Sequence, residues 1–370
     1  MITRIEELIS EYSVRNKKSE DIPVYSVTND RGFCTGYFSK EVASKDKSTY
    51  KIVPRGYFAY NPSRINVGSV DWQNCEDRVI VSPLYVVFSI SEQLDQQYFL
   101  HYLKSDIMLN YIKEYATGSV RDNLKLSDLG KLSVNLRPLD EQRRIAAVLD
   151  KVSDLIAKRR QQLEKLDLLV KARFTEMFGE EKERKTISDI CSIITDGTHQ
   201  PPKFVSEGIP FLFVSNLVSN EITFETDKFI TQETYNDLIK RTPIEEGDIL
   251  LSTVGSYGHP AIVKNNKKFL FQRHIAYLKP KHDVICSEYL HSALLSQEAQ
   301  RQIQEKVKGV AQKTLNLSEI RKISIPIPIM EKQIQFCIFV KQIEKTKTEI
   351  KNSLAKLEIL KKALMQEYFG

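Results

Sequence analysis

The sequence contains no apolar run approaching the ~18 residues that a membrane-crossing helix needs. Its opening stretch, MITRIEELISEYSVRNKKSED, is polar and charged, so neither a membrane span nor a secretory signal is expected. The five cysteines, Cys34, Cys75, Cys191, Cys286 and Cys337, are scattered and never form a C-x-x-C pair, which fits a reducing cytoplasm and argues against a zinc site. Catalytic signatures are missing too. His101, His199, His259, His274, His282 and His291 never fall four apart around a glutamate, and no serine sits in a G-x-S-x-G turn. His101 and His291 lie on helical stretches and are expected as satisfied structural histidines. No G-x-x-x-x-G-K-[ST] loop is present to hold ATP, and no glycine-rich turn follows a strand to cradle another cofactor. The pair Asn61-Pro62 resembles the corner that holds the target amine in amino-methyltransferases, but the second half of the chain reads LSTVG at the matching place, so it is taken as a rigid loop. These absences point to a binding protein, not an enzyme.

What is present is a repeat. KARFTEMFG closes at Gly179 and KKALMQEYFG at Gly370, and the same displacement of 191 places lays Gly118 on Gly309, Leu124 on Leu315, Ser127 on Ser318, Lys131 on Lys322 and Gln142 on Gln333 without a gap. It also lays Leu163, Lys165, Leu166, Leu169, Lys171 and Ala172 on Leu354, Lys356, Leu357, Leu360, Lys362 and Ala363, Tyr98 on Tyr289, and Gly56 on Gly247. The chain is therefore two diverged copies of one unit of roughly 180 residues. With 41% hydrophobic and 28% charged residues it reads as globular, and its net charge of +6 permits a polyanionic partner without demanding one.

Each copy opens with short strand-like runs: IPVYSVTN, YFAYN and VIVSPLYVVFSI in the first, IPFLFVSN, GDILLSTVG and FLFQRHIAYLKP in the second. A helical stretch follows in each, DQQYFLHYLKSDIMLNYIKEYA ending near Gly118 and SEYLHSALLSQEAQRQIQEKV ending near Gly309, so each copy holds an α/β domain of about 130 residues. Then come Asp140 to Phe178 and Glu331 to Phe369, which lack proline and glycine and predict single helices of roughly 57 Å. Ile145, Leu149, Val152, Ile156, Leu163, Leu166, Val170 and Met177 recur at four-three spacing, broken by Arg159 and Arg173. The matching stripe is Phe336, Val340, Ile343, Ile350, Leu354, Leu357, Leu364 and Tyr368, broken by Lys347 and Lys361. Two such seams are expected to pack on each other. Because EEKER can span only about 20 Å, the second helix must run back along the first, antiparallel to it. The expectation is an α+β protein: two globular α/β domains, at 1–139 and 180–330, separated by two long antiparallel helices forming a coiled coil, at 140–179 and 331–370, with an internal pseudo-twofold duplication.

The copies differ most in loops rich in polar, basic and aromatic residues. In the first these are NDRGF, SKDKSTYK and YNPSRIN, which offer Arg31, Lys45, Lys47, Tyr60, Asn61, Ser63, Arg64 and Asn66; Arg121 lies further on. In the second they are DGTHQPPK, STVGSYGH and QRH, which offer His199, Gln200, Lys203, Ser252, Ser256, Tyr257, Gln272, Arg273 and His274, with Lys313 further on. Such residues suit DNA, since Arg and Lys reach guanine edges or phosphates and Asn and Gln pair with adenine.

Taken together, these features resemble the specificity subunit of type I DNA restriction-modification systems over essentially the whole chain. The likeness rests on TISDICSIITDGTHQPPKFVSEGIPFLFVSNL, on GYFAYNPSRINVG and GDILLSTVG, and on LKLSDLGKLSVNLRPLDEQRRIAAVLDKV with its echo LNLSEIRKISIPIPIMEKQIQFCIFVKQI. PLDEQRRIAAVLD is the most specific of these, and the second copy departs from it as PIMEKQIQFCIFV. The resemblance implies two target-recognition domains in a cytoplasmic, non-catalytic reader of double-stranded DNA. Two modification subunits carrying S-adenosylmethionine and two restriction subunits using ATP and Mg would assemble on it. This chain itself would bind no cofactor and no metal. Each domain would read one half of an asymmetric site, and the helix pair would hold them about one to one and a half turns of B-DNA apart. The competing reading is a coiled-coil adaptor that binds proteins without DNA specificity; a remnant of a fused methyltransferase-nuclease lacks its cofactor motif.

Overall fold

A computed structural model of the protein describes residues 1–36, 46–115, 123–309 and 313–370. They form two compact units, one of Met1–Arg160 with Asn352–Gly370, the other of Gln161–Lys351.

The two units share a scaffold. In the first, an antiparallel sheet runs in the order Ile9–Glu11, Val86–Ile90, Phe58–Tyr60, Val70–Trp72; in the second the order is Cys191–Asp196, Ile275–Pro280, Ile249–Ser252, Pro260–Ile262. Side chains alternate across a strand, and here both faces are covered. Phe58, Tyr60 and Phe88 join one core cluster while Ala59 and Val87 join another. Ile249, Leu251, Ala276 and Leu278 separate in the same way from Leu250, Ile275 and Tyr277. Gly56 and Gly247, which the repeat superposes, both turn the chain into the central strand with φ of 85° and 94°, a region that a side chain disfavours.

Several runs are more broken than the periodicity suggests. VIVSPLYVVFSI carries strands Arg78–Val81 and Val86–Ile90 with a turn between, and FLFQRHIAYLKP carries Leu270–Phe271 and Ile275–Pro280. Each helical stretch after the strands consists of two helices, Gln96–Leu103 with Asp106–Tyr115, and Ser287–Leu294 with Gln297–Lys306. The break falls at Ser105 and Ser296, again superposed by the repeat. Ser105 Oγ accepts from Met108 N (3.2 Å) and Ser296 Oγ from Ala299 N (3.2 Å), so a serine cap starts a new helix where apolar spacing alone runs on. The expected ends near Gly118 lie outside the described residues.

The long helices span Leu139–Phe178 and Met330–Phe369, 40 residues each. Within the first unit, Arg137 Nη2 donates to Tyr368 O at 3.3 Å and Arg160 pairs with Glu358 at 2.8 Å. Within the second, Lys347 pairs with Asp167 at 2.8 Å while Phe174 packs on Phe336. In both units residue numbers rise on one helix as they fall on the other, so the helices are antiparallel. Ile145, Leu149, Val152, Ile156, Phe336 and Val340 are buried, and Leu163, Leu166, Ile343, Ile350, Leu354 and Leu357 are half-buried.

The twice-written helix end has a structural reason. Phe178 stacks edge-on against Tyr289, with centroids 4.9 Å apart, and Phe369 lies 5.3 Å from Tyr98. The end of each copy's helix therefore completes the core of the other copy's domain. The shared glutamine is equally informative. Gln142 Oε1 accepts from Asp95 N (2.8 Å) while its Nε2 donates to Gln93 O (2.9 Å) and Arg137 O (2.7 Å). Gln333 makes the matching three bonds, from Cys286 N (3.1 Å) and to Val284 O (3.2 Å) and Pro328 O (2.9 Å). One side chain in each copy thus fixes the helix start to the domain.

Candidate nucleic-acid interface

The loop that leaves the central strand, Asn61–Ser69 in the first unit and Thr253–His259 in the second, organises each candidate surface. In the first unit Asn61 Oδ1 accepts from Ser63 N (3.1 Å) and Asn61 O from Arg64 N (2.9 Å), so the Asn-Pro pair builds a turn. Ser69 Oγ donates to Val27 O (2.7 Å), tying the loop to the hairpin that carries Arg31. Ser63 Oγ donates to Asn123 Oδ1 (2.8 Å), and Leu124 N to Pro62 O (3.2 Å). Arg31, Asn61, Ser63, Arg64 and Asn66 are thereby brought to one place, with Arg31 and Arg64 exposed and the others half-buried. Gly32, in that hairpin at φ 59°, leaves no room for a side chain, because an added Cβ would fall 1.8 Å from Asp71 Oδ2, which accepts from Phe33 N (3.0 Å). Lys47 is half-buried in the turn before strand Lys51–Pro54, where its carbonyl accepts from Tyr50 N. Lys45 and Arg121 lie outside the described residues.

In the second unit the strand register places Asp196 opposite Ala276 and Ser252 opposite Ile275, so three strands end together. Thr253 N donates to His274 O (2.9 Å), Leu315 N to Thr253 O (2.8 Å) and Gly255 N to Lys313 O (3.1 Å). The bond from Leu315 repeats the one from Leu124 at the same displacement of the repeat, so both copies build this corner alike. Thr198 N donates to Phe271 O (2.9 Å) and Arg273 N to Thr198 O (3.0 Å), which sets His199 beside Gln272, Arg273 and His274. This approach requires Gly197, whose added Cβ would meet Phe271 O at 2.2 Å. His199, Gln200, Lys203, Ser256, Arg273 and Lys313 are exposed; Gln272, His274 and Tyr257 are half-buried, Tyr257 against the core. Burial and the neighbouring Arg273 charge hold His274 below the ordinary imidazole range, which favours the uncharged ring near neutral pH.

Two expected contacts do not stand. Tyr60 is fully buried, its Oη donating to Leu124 O (3.1 Å), and Ser252 is fully buried, its Oγ accepting from His259 N (3.0 Å). Both close the fold beneath the surface, because a strand residue just before a loop points into whichever face its register dictates. His101 and His291 are structural: His101 Nε2 lies 2.8 Å from Asp150 Oδ1, and His291 Nε2 lies 3.2 Å from Asn220 O and 3.1 Å from Pro260 O. Arg241 also reaches this surface, its Nη2 lying 3.1 Å from His199 Nε2. It sits in the short turn Ile239–Arg241 after helix Gln232–Leu238, outside every candidate loop, and no periodicity marks it.

Among the described residues no group of three or more His, Cys, Asp or Glu side chains could hold a metal ion, and no helix is long and apolar enough to cross a membrane.

Comparison with known proteins gives this geometry a family. The model of the type I restriction modification DNA specificity domain matches twice, at residues 6–166 and 179–360. The chain is similar to the EcoBI type I restriction enzyme specificity subunit of Escherichia coli, 24% identical over 89% of this chain and 78% of that one. It is also similar to the MjaVIII specificity subunit of Methanocaldococcus jannaschii, 23% identical over 70% and 69%. Among solved structures, the S subunit of a type I restriction-modification system from M. genitalium has the same fold, with a TM-score of 0.59 at 14% identity over all of this chain and 96% of that one. A chain from a structure of type I restriction-modification complex assembly reaches 0.57 at 17% identity, over 100% and 97%. The chain belongs to the type I restriction-modification DNA specificity family.

Proposed function

We propose that each unit of this specificity subunit reads one half of a bipartite, asymmetric duplex site, and that the two long helices set the gap between the halves. The observation that carries the reading is the contrast between scaffold and loop. Gln142 and Gln333, Tyr98 and Tyr289, and Leu124 and Leu315 make the same bonds in the two units. The loops on that shared frame differ in nearly every side chain. A frame kept while its loops diverge is what two readers of different base sequences need. Arg31 and Arg64 serve the first half-site in this reading, and His199, Arg273 and His274 the second.

Methyl transfer to adenine and ATP-dependent cleavage belong to two modification and two restriction subunits assembled on this chain in a cytoplasmic complex. S-adenosylmethionine, ATP and Mg are theirs, and no step of that chemistry is assigned to residues of this chain.

The test is selection from random duplexes by this chain reconstituted with its modification subunits. The reading predicts enrichment of two different short sequences at one fixed gap, with affinity falling steeply as salt rises. Absence of any salt-sensitive DNA affinity in that complex would favour the protein-binding adaptor.

A further inference from the structure

A cluster in the second unit stands apart from ordinary surface ion pairs. Asp196 ends its strand with only 17% of its side chain exposed and receives two partners: Arg241 Nη2 on Oδ1, and His199 Nε2 at 3.0 Å from Oδ2. Arg241 Nη2 and His199 Nε2 are themselves 3.1 Å apart. Nε2 donates to Asp196 in the tautomer that carries its hydrogen there and accepts from Arg241 in the one that does not. The arginine and histidine side chains remain 52% and 51% exposed. All of Arg241's side-chain contacts run through Nη2; where His199 Nε2 donates to Asp196, Nη2 spends one of its two hydrogens on Asp196 and keeps the other beside Nη1 or Nε, so one edge of the guanidinium retains two parallel donors.

The backbone that presents Arg241 is fixed. Two residues on, Pro243 O accepts from Tyr277 Oη (2.7 Å), in the strand paired with the one Asp196 ends. Asp196 is followed by Gly197, whose N donates to Ile275 O (3.2 Å), and by Thr198, whose N donates to Phe271 O (2.9 Å) and whose O accepts from Arg273 N (3.0 Å). The guanidinium is thereby held at the end of strand Cys191–Asp196 by Asp196 and His199, with its backbone placed through Pro243 and Tyr277.

Exposed ion pairs add little stability, so holding the fold is a weak reason for this arrangement. It suits recognition better. A planar guanidinium presents paired donors that match O6 and N7 of guanine, provided that its orientation is set beforehand. A phosphate is the poorer partner here. The Asp196 carboxylate beside Nη2 repels an approaching anion, whereas the neutral acceptors of a base edge meet less repulsion.

We infer that Arg241 is a specificity-determining residue, reading a guanine of the second half-site in the major groove, with Asp196 as the positioning residue that orients it. The inference rests on the proposed function and goes beyond it by naming one reader and one base.

The experiment is duplex selection with the reconstituted complex, comparing the unaltered chain with Arg241→Ala, Arg241→Lys and Asp196→Asn. The expected result is loss of one guanine preference, about tenfold or more, at a single position of one half-site. Arg241→Lys should behave like Arg241→Ala, because it keeps the charge and loses the paired donors. Asp196→Asn should relax the same position, and the other half-site should stay unchanged in all three. Uniformly weaker binding with base preferences intact, and rescue by Arg241→Lys, would make Arg241 a phosphate contact and overturn the inference. Unchanged selection in every variant would also overturn it. Failure of the unaltered complex to select any sequence would instead sink the proposed function, so the two failures are distinguishable. Should Asp196→Asn fold poorly, the exposed Arg241→Lys decides alone.

Discussion

Gln142 is fully buried and bonded three times, to Asp95, Gln93 and Arg137. Gln142→Ala should lower the stability of the first unit by about 3 kcal/mol, because the partners are left buried and unpaired. Denaturant unfolding reads this, and a change near zero would mean that water replaces the side chain freely. Glu344 offers a second residue-level test. Burial alone would raise its pKa, but hydrogen bonds from Lys347 and Lys264, with their positive charges, hold the carboxyl down to about 2. A depressed carboxylate contributes stability above its ordinary pKa of 4.5 and loses it as pH falls through the folded value. The second unit should therefore weaken between about pH 4.5 and pH 2, and Glu344→Gln should flatten that part of the melting profile. The effect should be modest, since 33% of the side chain faces solvent. An unchanged slope would show that the lysines do not hold the carboxylate.

At the scale of elements, each long helix is anchored at its end by a phenylalanine. Phe178, 2% exposed, lies among Phe174, Tyr289 and Phe336. Phe178→Ala should cost about 3 kcal/mol of the second unit's stability. Thermal melts test this, and an unaffected midpoint would mean that the helix end is only loosely docked. These helices were legible in the sequence because a four-three apolar stripe without proline or glycine has one good explanation, and Arg159, Lys347 and their like interrupted it without hiding it. Register was less legible. Ser105 and Ser296 break their helices through caps that apolar spacing does not register, and Tyr60 and Ser252 sit one step inside the loops they were grouped with. Arg241 was invisible for another reason: its neighbours Asp196 and His199 are distant in sequence, so only the fold assembles the cluster.

At the scale of the whole molecule, both long helices contribute residues to both units. If these helices set the gap, adding one turn to each, about four residues, should lengthen the unspecified gap in the recognised site and leave both half-sites unchanged; selection from random duplexes reads the gap, and an unaltered gap would remove the helices from that role. The measurement to make first is a genome-wide adenine methylation map in cells carrying this chain together with a type I modification subunit, with and without the gene for this chain. Two readers on one duplicated frame predict a split, asymmetric methylated motif that vanishes when this gene is removed, whereas a methylation pattern identical in its presence and absence would contradict a role for this chain in choosing the site.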